Sequence, residues 1–161
     1  MSNSWQVAGL PLHPLLVHAV VVLLPLTVIA VLLTQFWPTA RRRLGIVTPV
    51  AALGVLVLVP VTVKAGQSLA KVVGPLPRVL THQEYGQMLL PWVIALFVIA
   101  AFQWWWFRSG VRRYPPASSS LARVVPTALA VLSVVVGIGN LVLIVLIGDS
   151  GARAVWGGLL G

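Results

Sequence analysis

Four long apolar runs without a charged side chain constrain the fold of this chain more than any other feature of its sequence. They cover residues 17–36, 44–63, 88–107 and 124–147, and none contains Asp, Glu, Lys or Arg. The hydrocarbon core of a bilayer is about 30 Å thick, so a helix of about 20 apolar residues is long enough to cross it. Each run therefore predicts one membrane-spanning helix.

The composition indicates the same class of protein. The 161 residues are 59% hydrophobic and 8% charged, whereas soluble domains are about 25% charged. We predict one all-α integral membrane domain over residues 1–161, a four-transmembrane-helix bundle of up-down-up-down topology. The spans are expected at about 14–36, 44–63, 86–107 and 124–147, with an outer loop at 64–85. Residues 1–9 carry no basic side chain, so we expect the first span to be retained rather than cleaved as a signal peptide.

The predicted outer loop itself contains helical patterns. Leu69, Val72 and Val73 have the spacing of a short interfacial helix. Pro77 suits the first turn of a helix that would run into the third span.

Positive charge marks the predicted cytoplasmic side of the membrane. The formal net charge is +9. The short connections after the first and third spans contain Arg41, Arg42, Arg43, Arg108, Arg112, Arg113 and Arg123. The opposite side has Lys64, Lys71, Arg78 and Arg153. The positive-inside rule then favours both termini outside.

The distribution of these charges also indicates partners. The basic residues are scattered through loops and form no basic helix, so no nucleic acid is expected. Membrane lipids, particularly anionic headgroups near the arginines, and other membrane subunits or a second copy of the chain are the expected partners.

The chain has no cysteine. This excludes disulfides, iron–sulfur ligation, thiolate zinc sites and covalent haem attachment within the chain. The two methionines, Met1 and Met88, are too few for a copper relay built on thioethers.

The histidines and acidic residues fall on one side of the predicted membrane. His13 and His18 lie where the first span begins, His82 and Glu84 where the third begins, and Asp149 just after the fourth ends. Ionisable residues beside or within spans are rare and often functional. The outer side therefore has the material for a site, while structural or interfacial hydrogen bonding is the alternative for these residues.

The two histidines of HPLLVH are not expected to share one ion. Five residues of helix correspond to a rise of about 7.5 Å and a rotation of roughly 140°. His13, before Pro14, is predicted at the helix cap, and His18 is predicted to point inward one turn deeper.

His18 and His82 form the predicted pair of ligands. In an up-and-down bundle the first and third spans are diagonal, roughly 11 to 14 Å apart. Two inward imidazoles could then hold haem b between them. Gly54, Gly137 and Gly139 could make room for the porphyrin, while close helix packing is the alternative for these glycines.

A non-haem metal is a second possibility for this side of the chain. His13, Glu84 and Asp149 could form such a site together with His82, although their spacing matches no zinc signature. No nucleophile and base occur together and no phosphate loop is found, so the sequence contains no catalytic constellation and leaves enzymatic activity open.

Three segments carry a resemblance to a known family: LPLHPLLVHAVVVLLPL at 10–26, THQEYG at 81–86, and GDSGARAVWGG at 148–158. The chain resembles, over nearly its whole length, a bacterial family of predicted four-span membrane proteins of unknown function. The matching positions are His13, Pro14, Val17, His18, His82, Gly148, Ser150, Gly151, Ala152, Val155, Trp156 and Gly157. Asp149 departs from the pattern, because the family usually has histidine there.

The resemblance implies the bacterial cytoplasmic (inner) membrane as the location of the chain. It also implies a link with respiratory electron transfer, since some relatives are fused to cytochrome c-like modules. If His18 and His82 are the axial pair, Asp149 is expected to contact a ligand rather than to bind the iron itself. If the histidine that relatives have at position 149 is a ligand in them, this chain has lost that ligand. The leading hypothesis is a small redox-associated membrane subunit that binds haem b near the outer side. The alternative is a cofactor-free accessory or structural subunit of a larger membrane (respiratory) complex, and the third is a non-haem metal site or a transporter.

Overall fold

The computed structural model describes residues 6–7, 10–74, 76–110 and 120–156. Two short antiparallel strands, β1 (Gln6–Val7) and β2 (Leu10–Pro11), precede the helices. The helices are α1 (Leu12–Phe36), α2 (Pro38–Leu44), α3 (Val47–Val73), α4 (Pro77–Trp105) and α5 (Leu121–Trp156), and a π-helical turn (Trp106–Gly110) continues α4. Among the described residues, α1, α3, α4 with its π-helical turn, and α5 are long and apolar enough to cross a membrane. Arg112, Arg113 and Gly157, named above for topology and resemblance, lie outside the described residues.

Proline and glycine mark the helix ends. Leu76 is extended, with φ −75° and ψ 139°, and Pro77 follows as the first residue of α4, where its missing N–H costs no helical hydrogen bond. Gly45 and Gly74 end α2 and α3 with φ values of 45° and 95°. Residues that have a Cβ atom rarely adopt positive φ values, so glycine suits both positions.

The segment 64–85, predicted as an outer loop, is mostly helical. α3 continues to Val73 and α4 begins at Pro77, so residues 74–76 connect them. The prediction that Pro77 begins a helix running into the third span is confirmed. The separate short helix expected around Leu69 is instead the end of α3. The apolar runs set only the minimum length of each helix, because polar residues such as Lys and Gln also favour helix and extend it beyond the hydrocarbon core.

The four long helices form an antiparallel ring. α1 packs against α3 and α5, and α4 packs against the same two helices, so α1 and α4 lie diagonally, as predicted. We call the end that contains His13, Thr62, His82 and Ser150 the histidine end. We call the end that contains Gln35, Arg41, Thr48 and Gln103 the arginine end.

The core is apolar, and so is the outer surface of the bundle. Leu24, Val93 and Leu96 are completely buried, whereas Val131 and Val145 are 58% and 68% exposed. A helix that is apolar on all sides is typical of a membrane span, where lipid covers the outward residues. The predicted all-α, four-helix membrane bundle is therefore confirmed.

A buried hydrogen-bond network joins three helices at the arginine end. The Gln103 side chain of α4 is 2% exposed. Its Oε1 accepts a hydrogen bond from Thr34 Oγ1 at 3.1 Å, and its Nε2 donates to Gln35 Oε1 at 2.9 Å and to Ser133 Oγ at 2.8 Å. Polar side chains that bond across helices in this way help fix helix positions inside a membrane.

Candidate functional site

Two histidines from diagonal helices lie beside each other at the histidine end. The ring centres of His13 on α1 and His82 on α4 are 6.0 Å apart, and their planes are nearly perpendicular, at 80°. Both residues are half-buried. The diagonal helices therefore contribute one imidazole each to the same space.

Hydrogen bonds to backbone oxygens set the tautomer of both rings. His13 Nδ1 lies 3.0 Å from the carbonyl oxygen of Thr62 on α3, and His82 Nδ1 lies 3.1 Å from that of Ile147 on α5. A carbonyl oxygen only accepts, so each Nδ1 carries the proton and donates it. In the neutral ring, Nε2 is then left with its lone pair, which is the arrangement found in metal-bound histidines.

Ser150 adds a second contact to His82. Its Oγ lies 3.1 Å from His82 Nδ1 and donates its own proton to the Ile147 carbonyl, also at 3.1 Å. The hydroxyl oxygen can therefore accept from the imidazole while its proton is engaged elsewhere. The bond places a serine of the GDSGA segment directly beside His82.

Two glycines leave room for these rings. A Cβ atom at Gly66 of α3 would lie 2.8 Å from Cε1 of His13, and one at Gly151 of α5 would lie 3.2 Å from Cε1 of His82. Any larger side chain at Gly66 would displace the His13 ring. The imidazole positions therefore depend on small residues of the neighbouring helices.

A cavity of about 560 Å³ adjoins the histidine pair and is bounded by all four long helices. Its size is within the range of about 300–1,000 Å³ that is usual for small-molecule and cofactor sites. Within the described chain, no Asp, Glu, Lys or Arg lines it, and its polar side chains include His13, His18, His82 and Gln67. Gly66, Gly86, Gly148 and Gly151 contribute to its wall. The cavity suits a largely apolar ligand that is held through imidazole nitrogen.

His18 differs from the other two histidines. It is exposed, and its Nδ1 lies 2.6 Å from the carbonyl oxygen of Pro14 in its own helix. The residue also lines the cavity, but His13 rather than His18 lies next to His82. The inward orientation expected for His18 is therefore found instead for His13. Pairing of His18 with His82 through a ligand stays a prediction.

The three glycines predicted to make room for a cofactor are not at this cavity. Gly54 is exposed on the outer surface of α3. Cβ atoms at Gly137 and Gly139 would lie 3.1 Å from Val28 Cγ1 and 2.0 Å from the Trp92 ring. Protein side chains fill the space beside Gly137 and Gly139, as the alternative of close helix packing describes.

The structure does not gather the acidic residues of the alternative metal site around the histidines. Glu84 is exposed, and Asp149 accepts a 2.8 Å hydrogen bond from Arg153 Nε in an exposed ion pair. Among the described residues, no three His, Cys, Asp or Glu side chains are placed to hold a metal ion. Asp149 was also expected to contact a ligand, but its carboxylate is bonded to Arg153 of its own helix. Ser150 is the residue that lies beside His82.

Thr62, Gly66, Ser150 and Gly151 were missed as site residues from the sequence. Ser150 and Gly151 belong to the segment that carries the family resemblance, so that pattern contained a usable signal. Thr62 contributes only its backbone carbonyl, and Gly66 is one helical glycine among several. Nothing in one sequence distinguishes these two positions.

These observations define a four-span helical membrane protein with a histidine-lined cavity at one end. The chain belongs to the family described as predicted membrane protein (DUF2231), whose model matches residues 9–161. The resemblance drawn from the sequence is thus confirmed as membership of that family. No curated protein matches the chain, and no solved structure does.

Proposed function

We propose that this chain is a small redox-associated membrane subunit that binds haem b in the histidine-end cavity, with His13 and His82 as axial ligands. The observation that carries the proposal is the 6.0 Å separation of the two ring centres. Two imidazoles on opposite sides of one metal, each bonded through nitrogen at about 2.0–2.1 Å, have ring centres about 6.5 Å apart, so the rings need to separate by only about half an ångström to hold a metal between them.

The ligand set favours haem over a bare metal ion. A structural metal such as zinc needs about four protein ligands, whereas haem iron already has four porphyrin nitrogens and needs two axial residues. His13 and His82 supply two neutral imidazoles, and the uncharged cavity wall suits an apolar macrocycle. When bound, haem supplies one-electron transfer.

Positive charge for the two haem carboxylates is available near the cavity. Lys71 and Arg78 are exposed and lie within two residues of the lining residues Val73 and Val79. Their placement at the ends of α3 and α4 suits propionates that reach toward water.

The proposal is tested by expression with ample haem, purification in detergent, and a reduced-minus-oxidised visible spectrum together with iron analysis. We expect a Soret band and one iron per chain in the wild type. His13→Ala and His82→Ala should each abolish or shift the band, while His18→Ala should retain it.

The variants also separate the two possible ligand pairs. Loss of the band in His18→Ala with retention in His13→Ala would identify His18 and His82 as the pair and overturn the assignment of His13. Absence of both a Soret band and stoichiometric iron from the folded wild type would exclude haem binding.

One observation favours a second function, that of a cofactor-free accessory subunit of a larger membrane complex. The His13–Thr62 and His82–Ile147 hydrogen bonds already link neighbouring helices without a ligand. This alternative predicts that the wild type is colourless and copurifies with other membrane subunits. It also predicts that His13→Ala has a lower thermal unfolding midpoint than the wild type.

A further inference from the structure

A second cavity, of about 260 Å³, lies at the arginine end. Its lining residues include three arginines, Arg41, Arg42 and Arg108, and the buried residues Thr48 and Gln103. It is smaller than the roughly 300–1,000 Å³ typical of sites for drug-sized ligands. The volume and the arginines suit a small anionic group.

The positive charge in this cavity has no carboxylate partner in the described chain. The sequence has two acidic residues, Glu84 and Asp149, and both lie toward the histidine end, with Asp149 paired to Arg153. Burial lowers the pKa of Arg41 from its ordinary value, because desolvation disfavours its charged form. An anion from outside the chain would offset this cost.

Arg41 is held rigidly and still has donors to offer. Its Nε donates to the Thr34 carbonyl at 2.6 Å, its Nη2 donates to the Gln35 carbonyl at 2.5 Å, and its guanidinium carbon lies 3.4 Å from the centre of the Phe107 ring. These contacts use two of the five guanidinium N–H groups and leave three. The guanidinium is therefore fixed in place before any ligand binds.

Thr48 supplies an independent indication of a ligand. The residue is 2% exposed and lines the cavity, and its buried Oγ1 has no hydrogen-bond partner among the described residues. Thr27 and Thr62 donate to the carbonyl four residues earlier, but Thr48 is the second residue of α3 and has no such bond. A buried hydroxyl without a partner is costly unless something outside the chain accepts its proton.

The N-terminus of α3 also favours an anion at this end of the bundle. Among the described residues, no side chain caps this 27-residue helix at its N-terminus, and its first turn contains no acidic residue. The N-terminal end of a helix carries partial positive charge and free N–H groups that stabilise anions.

We propose that this cavity binds a phosphate group, held by the Arg41 and Arg108 guanidinium groups and the Thr48 hydroxyl. The phosphate belongs either to an anionic lipid headgroup or to a soluble phosphate. Gln103 forms part of the wall, because its amide is already bonded to Thr34, Gln35 and Ser133. The site is at the opposite end of the bundle from the histidine pair, so it does not depend on haem binding.

The test measures the thermal unfolding midpoint of the full chain in neutral detergent during titration with three additives. These are phosphatidic acid, phosphatidylcholine with the same acyl chains as a zwitterionic control, and inorganic phosphate matched for ionic strength with chloride. We expect phosphatidic acid to raise the midpoint of the wild type and phosphatidylcholine to leave it unchanged. A rise with inorganic phosphate as well identifies a site for free phosphate, and a rise with the lipid alone identifies a headgroup site.

Thr48→Val and Arg108→Gln are the decisive variants. Thr48→Val removes a hydroxyl that has no partner among the described residues, so it should fold at least as stably as the wild type without ligand and bind phosphate about tenfold more weakly. Arg108 is exposed, and its loss should weaken binding without unfolding the chain.

Thr62→Val is the matched control, because that hydroxyl on the same helix already bonds to Leu58. It should leave phosphate affinity unchanged. A wild type that responds to neither phosphatidic acid nor phosphate, or a response that Thr48→Val and Arg108→Gln leave intact, overturns the proposal.

Discussion

His13 and His82 lie with their ring centres 6.0 Å apart across the diagonal of the bundle. Each ring also donates to the backbone of a neighbouring helix, His13 to Thr62 on α3 and His82 to Ile147 on α5. The pair and its two carbonyl partners therefore involve all four long helices at one end. This relationship makes the histidine end sensitive to small changes in side-chain volume.

Gly66→Ala should disturb His13. The new Cβ would lie 2.8 Å from His13 Cε1 and 3.0 Å from Nδ1, so the ring must shift and its bond to Thr62 is strained or lost. We expect a loss of about 1–3 kcal/mol in unfolding free energy, as for other overpacked sites, measured by chemical unfolding in detergent. Gly54→Ala is the control on the same helix, since no atom of the described residues lies within 4 Å of its Cβ position. A Gly66→Ala protein as stable as Gly54→Ala would contradict the placement of His13.

Gly139→Ala should displace the Trp92 side chain of α4, which packs against Gly139 of α5. The new Cβ would lie 2.0 Å from Cζ3 of Trp92. Alanine has no rotamer that avoids this clash, so the indole must move. The displaced indole should cost about 1–3 kcal/mol of stability, with a shift in tryptophan fluorescence as a second readout. Gly148→Ala, on the same helix with open space at its Cβ position, should be neutral or slightly stabilising. Equal stability of the two variants would show that Trp92 does not pack against Gly139.

Gln103→Leu should weaken the arginine end. The change removes hydrogen bonds to Thr34, Gln35 and Ser133. Hydrogen bonds between membrane helices contribute on average about 0.6 kcal/mol each, so the three together predict a loss of about 2 kcal/mol. Thr27→Val, whose hydroxyl bonds to the Leu23 carbonyl of its own helix, should cost less in the same unfolding assay. If Gln103→Leu has wild-type stability, the hydrogen-bond network does not stabilise the bundle.

Asp149→His, which restores the residue usual at this position in the family pattern, should leave the His82 environment unchanged. Asp149 is exposed and pairs with Arg153 rather than with a histidine. By contrast, Ser150→Ala removes a hydroxyl in contact with His82 Nδ1 and should lower stability by about 1 kcal/mol. The histidine ring resonances in NMR spectra report both effects. A larger shift of the His82 signals in Asp149→His than in Ser150→Ala would reverse this assignment.

The predicted topology can be tested with single cysteines, because the chain contains none. Thr39→Cys lies in the exposed part of α2 at the arginine end, and Glu84→Cys is exposed at the histidine end. Since the arginine-rich connections are expected in the cytoplasm, a membrane-impermeant maleimide applied to intact cells should label Glu84→Cys and spare Thr39→Cys until the cells are lysed. The opposite pattern would invert the assigned orientation.

Much of the fold was predictable because membrane spans follow from local composition. The uncharged apolar runs predicted the four long helices, and Pro77 marked the start of one of them. Helix ends were less predictable, because polar residues of the 64–85 segment continue α3 and α4 beyond their apolar parts. The histidines were recognised as candidate site residues from their shared position at one end of the predicted spans. His18 was expected to be the one that points inward, whereas the structure places the His13 ring beside His82.

That difference has a simple physical origin. The uncharged apolar runs determined the class of protein and the number of spans, because both depend on residues close in sequence, and the alternating direction of the spans then placed the histidines at one end. Which ring meets His82 depends on the rotation of α1 about its axis, and that rotation is set by contacts with other helices. His13 points inward because it bonds to the Thr62 carbonyl and because Gly66 has no side chain in the way of its ring. His18 instead bonds to the Pro14 carbonyl of its own helix. Only the packed bundle brings those groups together.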